Sequence, residues 1–259
     1  MLKVTAVALL AILSLSPPQS RDAEIEALKR EVAALRAQQE GMARDLQAIK
    51  QLLQSLMQPA PSPGNEMPGL VGASIAPSQR APLGAASARV MILEISDYHC
   101  GFCRRHTQQT FPRIYEQYVK TGQAQYGFVD FPITQAPQVG FKPHEAALCA
   151  GEQGKAWEMH TQLFGGSPAS TTEALVAKAS AIGLNTSAFT TCLNSGKYTA
   201  AIQESVGAVQ RLGVGGTPMT LIGLTPEPGQ PMKVAKFVYG AHPFEAFKEA
   251  IDEVLAEAR

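Results

Sequence analysis

Cys100 and Cys103 stand two residues apart in the run His99-Cys100-Gly101-Phe102-Cys103-Arg104-Arg105, in a chain that has only four cysteines. Several chemistries use a C-x-x-C spacing. A closed zinc site normally takes four ligands, and only one C-x-x-C is present; His99 and His106 flank the motif, but His99 adjoins Cys100 and would have to fold back onto the same ion. Haem attachment needs a His directly after the second Cys, where Arg104 stands. A purely structural bridge across so short a loop would cross-link little chain. A redox couple uses both sulfurs, one attacking as thiolate and the other resolving.

The redox reading assigns each residue a role. A Cys100 that opens a helix has its sulfur at unpaired backbone N–H groups and the positive helix end, both of which favour thiolate. Arg104 and Arg105 add positive charge, and Cys103, one turn in, is the shielded resolving thiol. His99 is either a polar loop residue or a donor to the Cys100 thiolate, and His106 reads as helix surface. Glu94 is the odd residue of the strand-like run Val90–Ser96, "VMILEIS". It either faces solvent at a strand edge, or it sits beneath the cysteines, where burial raises its pKa and it can take and return the Cys103 proton.

The elements that must position these groups follow along the chain. Continuous apolarity in Val90–Ser96 predicts a strand buried on both faces. "RRHTQQTFPRIYEQYVKTG" predicts a helix kinked at Pro112 and ended at Gly122. "QAQYGFVDFPI" predicts a second strand closed by Pro132. Residues 142–213 read as mostly helical, with Ser170 to Thr172 as caps. "MTLIG" and "MKVAKFVYG" predict a strand pair, and "FEAFKEAIDEVLAEA" a closing helix. The order describes a small α/β sandwich over 89–259 with a helical insertion over about 138–213.

Two segments precede that domain. Residues 1–20 carry one Lys, an apolar stretch from Val4 to Leu15, then small residues and prolines, the layout of a secretory signal. A retained N-terminal anchor is the alternative. Over 21–57, heptads place Ile25, Val32, Gln39, Leu46 and Leu53 at a, and Leu28, Leu35, Met42, Ile49 and Leu56 at d. Nine of these ten are apolar, which predicts an oligomerising coiled coil on the order of 50 Å long. Glu24 with Lys29, Glu31 with Arg36 and Asp45 with Lys50 would pair across a parallel homo-oligomer, dimer or trimer. Residues 58–88, rich in Pro, Gly, Ser and Ala, read as a linker. The 22 basic and 22 acidic residues balance, so no uniform field points to nucleic acid. Neither metal nor cofactor is expected.

Export to an oxidising compartment, the periplasm, makes all four cysteines candidates for disulfides. Cys149 and Cys192 lie on apolar helix faces and are either buried free thiols or a structural disulfide, the latter favoured by the even count. Trp157, Met159, Phe164, Phe189 and Leu193 read as helical core. Tyr98, Phe102, Pro132 and Met219 read either as rims of an apolar client groove or as packing.

Through "EISDYHCGFC" and "GVGGTPMT" the chain resembles the thioredoxin-fold Dsb proteins, exported thiol-disulfide oxidoreductases of bacteria, over roughly Val90 to Ala258. "FVDFPI", "GEQGKAWEMHTQLF" and "LGVGGTP" resemble the DsbA-type versions with an inserted helical domain. The resemblance implies Cys100 as nucleophile, Cys103 as resolving thiol, Glu94 as the acid six positions before the first Cys, and a cis Pro218 after Thr217 facing the motif. Client contacts would fall to Thr217, Pro218, Gly101, Phe102 and Tyr98, with Gly215 and Gly216 letting the loop approach closely. Two features depart from a simple DsbA-type oxidase. Gly-Phe inside the motif and Thr before the cis-Pro are closer to DsbC-like isomerases, and the N-terminal heptads are similar to the oligomerising segments of those isomerases and of ScsC-type proteins. The resemblance thus implies an isomerase or reductase of misdisulfided exported proteins, served by a membrane partner more DsbD-like (reducing) than DsbB-like (oxidising). A DsbA-like dithiol oxidase, or a coiled-coil chaperone with a non-catalytic cysteine pair, is the rival reading.

Overall fold

Val90–Ser96 forms strand β2, and its position explains its composition. It lies between β3 (Ala124–Asp130), which runs parallel to it, and β4 (Met219–Leu224), which runs antiparallel; β6 (Lys236–Tyr239) then flanks β4. The sheet order is β3-β2-β4-β6. A central strand has both faces covered, so alternation gives way to continuous apolarity. Val90 and Ile92 pack on one face with Ile114, Tyr118, Phe247 and Ile251. Met91, Leu93 and Ile95 pack on the other with Val206, Val209 and Leu221.

The computed structural model of the chain describes residues 25–26, 28–36, 38–43, 46, 67–77, 79–133 and 137–258. They fall into two units, Met1–Pro59 and Ala60–Arg259. In the first unit the described residues between 25 and 46 are helical (α1). Ile25, Leu28, Val32, Leu35, Met42 and Leu46 are between 44% and 66% exposed along it, and Gln39 is exposed as well. The expected leader and the heptad positions Ile49, Leu53 and Leu56 lie outside the described residues.

In the second unit the motif helix α2 (Gly101–Gln109) is followed by α3 (Phe111–Ile114), which has Pro112 in its first turn. The expected kink is thus a break at Thr110. A wide turn then closes the run, with the Lys120 N–H donating five residues back to the Tyr115 carbonyl at 2.8 Å. The helical insertion comprises α4 (Lys142–Gly151), α5 (Ala156–Phe164), α6 (Thr172–Ala181) and α7 (Thr186–Ser195), followed by α8 (Thr199–Arg211). Thr171 caps α6 through the Ala174 N–H, and Asn185 caps α7 through that of Ala188. Met159, Leu163, Phe164, Phe189 and Leu193 form one core with Tyr98, Cys103 and Phe128, and half-buried Trp157 packs against it. α8 behaves differently: its Val206 and Val209 join the core on the sheet. α9 (Phe244–Glu257) closes the opposite face.

Two expectations change. The linker does not extend to residue 88. Leu70, Ile75 and Ala88 are buried, and Ser74–Ile75 forms a short strand, β1, paired antiparallel with β5 (Met232–Lys233). Leu83 exchanges backbone hydrogen bonds with Tyr126 at 2.9 Å in both directions. Composition alone hides this, because a few apolar residues and the free edge of β3 suffice to dock a Pro- and Ser-rich segment. "MKVAKFVYG" also divides into β5 and β6 rather than forming one strand. Among the described residues no helix is long and apolar enough to cross a membrane.

Candidate active site

The register of the sheet brings the cysteine motif and the proline loop together. Ile95 of β2 pairs with Met219 of β4 in antiparallel register. The loop leaving β2 and the loop entering β4 therefore emerge at one end of the sheet. The first carries Cys100, which caps α2 with extended backbone angles (φ −79°, ψ 119°). The second carries Thr217 and Pro218, joined by a cis peptide bond. Cys100 Sγ lies 3.5 Å from the Thr217 carbonyl oxygen. Gly216 supports the approach: a Cβ there would stand 2.5 Å from the Tyr239 hydroxyl.

The two sulfurs have unlike environments. Cys100 is half-buried; Cys103, one turn along, is fully buried among Tyr98, Phe128 and the insertion core. Hydrogen bonding from the Cys103 thiol is the largest influence on Cys100. Burial opposes it, but the backbone N–H groups of Cys103 and Phe102 add to it, and the Cys100 pKa is lowered to about 6. Burial pushes the Cys103 thiol far up, and its bond to Cys100 and the Glu94 charge push it the same way. One sulfur is thus a thiolate near neutral pH, and the other holds its proton. Such a pair can open a disulfide by attack from the first sulfur and be oxidised by attack from the second.

Glu94 is fully buried and sits mid-strand, opposite Thr220. The Tyr126 hydroxyl donates to its Oε2 at 2.6 Å, while Oε1 has no hydrogen-bond partner. His106 Nε2 lies 3.2 Å from the same hydroxyl. With the Tyr126 proton committed to Glu94, His106 is the donor to the phenolic oxygen. Burial holds the His106 pKa down despite the Glu94 charge. His106 is therefore core rather than helix surface, facing inward from α2 toward the sheet.

Other expected residues are placed differently. The His99 ring turns away from the motif: its Nε2 lies 2.8 Å from Ser170 Oγ and its Nδ1 3.8 Å from Asp97 Oδ1. It makes no hydrogen bond to Cys100 among the described contacts, because the insertion supplies a nearer partner. Tyr98 (2% exposed), Met219 and Pro132 are core and offer no client rim. Phe102 is 58% exposed, with the Arg105 guanidinium 5.1 Å over its ring. Gly101 is exposed beside it. Cys149 and Cys192 are joined in a disulfide that ties α4 to α7. Glu152 places a carboxylate with those sulfurs in a metal-like cluster, but sulfurs bonded to each other are not thiolate ligands.

Sequence reasoning passed over Asp97, Asp130, Arg80 and His144. The Asp97 carboxylate accepts from the His99 N–H at 3.0 Å and from the Ile133 N–H at 3.2 Å. His144 Nδ1 lies 2.7 Å from Asp130 Oδ1, and its Nε2 3.5 Å from Asp97 Oδ1. The Arg80 guanidinium stands 3.7 Å from Asp130 and 4.4 Å above the Phe128 ring. The available signal was the acid between β2 and the motif, and a His opening an otherwise apolar helix.

A thiolate-bearing cysteine at a helix start, on a mixed four-stranded sheet and facing a cis-proline loop, defines a thioredoxin-fold protein with an inserted helical domain. Residues 77–253 match the family described as Thioredoxin (Thioredoxin_4), and the chain belongs to that family. Its fold is similar to that of alpha-DsbA1 from Wolbachia pipientis, with 24% identity and a TM-score of 0.61 over 71% of this chain and 94% of that one. In sequence it is 26% identical over 176 residues to "Na(+)/H(+) antiporter NhaA 3" of Salinispora tropica, 68% of this chain and 25% of that protein. It is 27% identical over 117 residues to "Probable disulfide bond formation protein D" of Bacillus anthracis, 45% of this chain and 50% of that protein. The chain thus spans half or less of the length of these curated relatives.

Proposed function

We propose that this chain is an exported thiol-disulfide oxidoreductase acting on protein clients, and that it works as an isomerase or reductase. The observation that carries the chemistry is the pairing of a half-buried Cys100 held toward thiolate with a buried, protonated Cys103 at the start of α2. In the proposed cycle the Cys100 thiolate attacks a client disulfide, forming a mixed disulfide and releasing one client thiolate. A second client cysteine can then displace Cys100, leaving the client rearranged and the enzyme reduced. Alternatively Cys103 gives its proton to Glu94 and attacks Cys100 Sγ. The second client sulfur then leaves as a thiolate that takes its proton from solvent, and the enzyme is left oxidised until a membrane reductant restores it.

Client binding falls to the exposed Phe102 and Gly101 and to the backbone of Thr217 beside Pro218, where an extended chain can pair in β fashion. The isomerase direction rests on the Gly-Phe dipeptide and on the exposed heptad face of α1, which would assemble two or three copies around one client and raise the effective concentration of the second site. A periplasmic location follows from the leader-like residues 1–20. One observation favours a second reading, a dithiol oxidase. A depressed Cys100 pKa stabilises the reduced form and makes the disulfide more oxidising, in keeping with the fold shared with alpha-DsbA1.

The test is repair of scrambled ribonuclease in a glutathione buffer by the full chain and by Cys100→Ser. The proposal expects reactivation by the first and none by the second. Equal protection of the client by both would favour the chaperone reading. Rapid oxidation of reduced ribonuclease without repair of the scrambled form would favour the oxidase.

A further inference from the structure

The buried ionic cluster beside the motif has a geometry that neutral side chains would not hold. Both ring nitrogens of His144 face carboxylates: Nδ1 hydrogen-bonds Asp130 at 2.7 Å, and Nε2 lies 3.5 Å from Asp97 Oδ1, at ion-pair distance without hydrogen-bond geometry. A neutral imidazole has one N–H and one lone pair, so one carboxylate would face a lone pair. The imidazolium presents an N–H toward each, as a hydrogen bond to Asp130 and as a charge contact with Asp97. Other described groups also stand around the ring. Arg80, from the segment before β2, stands on Asp130. Tyr98 and Phe128 present their rings at 4.8 and 6.2 Å. His160 of α5 is neutral, because burial and the neighbouring Arg80 charge drive its pKa well down. Two carboxylates thus meet one guanidinium and one imidazolium.

The cluster touches the motif through Asp97. Its carboxylate accepts from the backbone N–H of His99, the residue before Cys100, and from that of Ile133, beyond the end of β3. The Asp97 carbonyl also accepts from the Cys100 N–H at 3.1 Å. Burial opposes charge on Asp97, but His144 and the two N–H groups outweigh it and lower its pKa. Burial likewise opposes charge on His144, and the two carboxylates outweigh it and raise its pKa.

We infer that His144 is a positioning residue for Cys100: as an imidazolium between Asp130 and Asp97, it pins the Asp97 carboxylate onto the His99 and Ile133 backbone, and so locks the cysteine loop to α4 of the helical insertion. The inference rests on the reading of Cys100 as the attacking sulfur. With Asp97 unpinned, the loop loses the fixed approach of Cys100 to the first N–H groups of α2, and the thiolate loses stabilisation.

Simple electrostatics and pinning predict different patterns. Removing the His144 charge should raise the Cys100 titration midpoint on either account. Removing the Asp97 charge should lower it if charge alone matters, and raise it if the tether matters. The experiment is the pH profile of iodoacetamide alkylation of Cys100, with thiolate absorbance at 240 nm, in the full-length reduced protein and in His144→Gln and Asp97→Asn. We expect both variants to move the midpoint up by about one pH unit, a roughly tenfold smaller thiolate fraction below it. A downward move in Asp97→Asn, or no move in His144→Gln, overturns the inference. Should the variants not fold, nitrogen chemical shifts of the wild-type His144 ring decide. Both nitrogens should stay protonated from pH 5 to 8, and a neutral ring at pH 7 overturns it. These readouts need no client, so failure of client exchange alone would count against the proposed function and not against the positioning role.

Discussion

The Tyr126 hydroxyl donates to Glu94 Oε2 across 2.6 Å, tying the acid of the central strand to the neighbouring strand beside Cys103. A buried carboxylate needs such a partner, since an unpaired charge in an apolar core is strongly disfavoured. The second oxygen, Oε1, is left without a partner and is free to take a proton.

Glu94→Gln should therefore separate two effects. It removes a charge that holds the Cys103 thiol protonated, which by itself would ease deprotonation, and it removes the proton acceptor. With a relay, release of a Cys100 mixed disulfide by Cys103 slows by about 100-fold, and attack by Cys100 changes little. Single-turnover release of a thionitrobenzoate adduct measures this; faster release in the variant would sink the relay.

Tyr126→Phe should destabilise the reduced protein by about 1–3 kcal/mol, because it strands a buried carboxylate oxygen and the His106 ring nitrogen at once. Urea unfolding followed by circular dichroism is the measurement. A loss no larger than that of an exposed substitution would mean that buried water replaces the hydroxyl.

Cys100 sets the pH response. Its pKa is depressed from an ordinary 9.0 to about 6, so alkylation should rise through pH 6 and level off by about pH 7. The same depression acts on stability. For an acid with a lowered folded pKa, the contribution is fully present above the unfolded value and lost as pH falls through the folded one. The reduced protein should thus gain stability as pH rises from about 6 toward 9, and Cys100→Ser should flatten that rise. A midpoint of alkylation near 9 would refute the assignment.

The Cys149–Cys192 bridge spans 43 residues and joins α4 to α7. Loop-closure entropy puts its contribution at roughly 4 kcal/mol. Cys149→Ala with Cys192→Ala should lower the urea midpoint accordingly, with Cys100 still reactive. An unchanged midpoint would mean that the insertion core holds these helices without help.

Deleting residues 21–57 should leave a monomer that still oxidises small dithiols and no longer repairs scrambled clients. Analytical ultracentrifugation with the ribonuclease assay checks both. Undiminished repair by a monomer would remove the heptads from the mechanism.

Much of the site was legible because its signals are local. A C-x-x-C before a helical run and an acid inside an apolar strand each depend on a few neighbouring residues, whereas Gly-Thr-Pro by itself reads as an ordinary turn and took its role from the family resemblance. Where reading failed, a distant partner decided. His106 reads as surface by its spacing on α2, but Tyr126 and Glu94 from two strands receive it. His99 reads as either a polar loop residue or a donor to Cys100, and Ser170, 71 positions away, takes its ring. Residues 67–88 read as linker by composition, yet Leu70 and Ile75 bury against the sheet.

The sequence by itself determined the order of the main strands and helices, the C-x-x-C spacing and the heptad pattern at the N-terminus, since periodicity and motif spacing are properties of the chain. Only the tertiary structure decided that Cys100 stands 3.5 Å from the Thr217 carbonyl, that Tyr98 is core, and that Asp97, His144, Asp130 and Arg80 gather beneath the motif. Those pairings join residues far apart in the chain, and only burial in one core brings their charges close enough to fix one another.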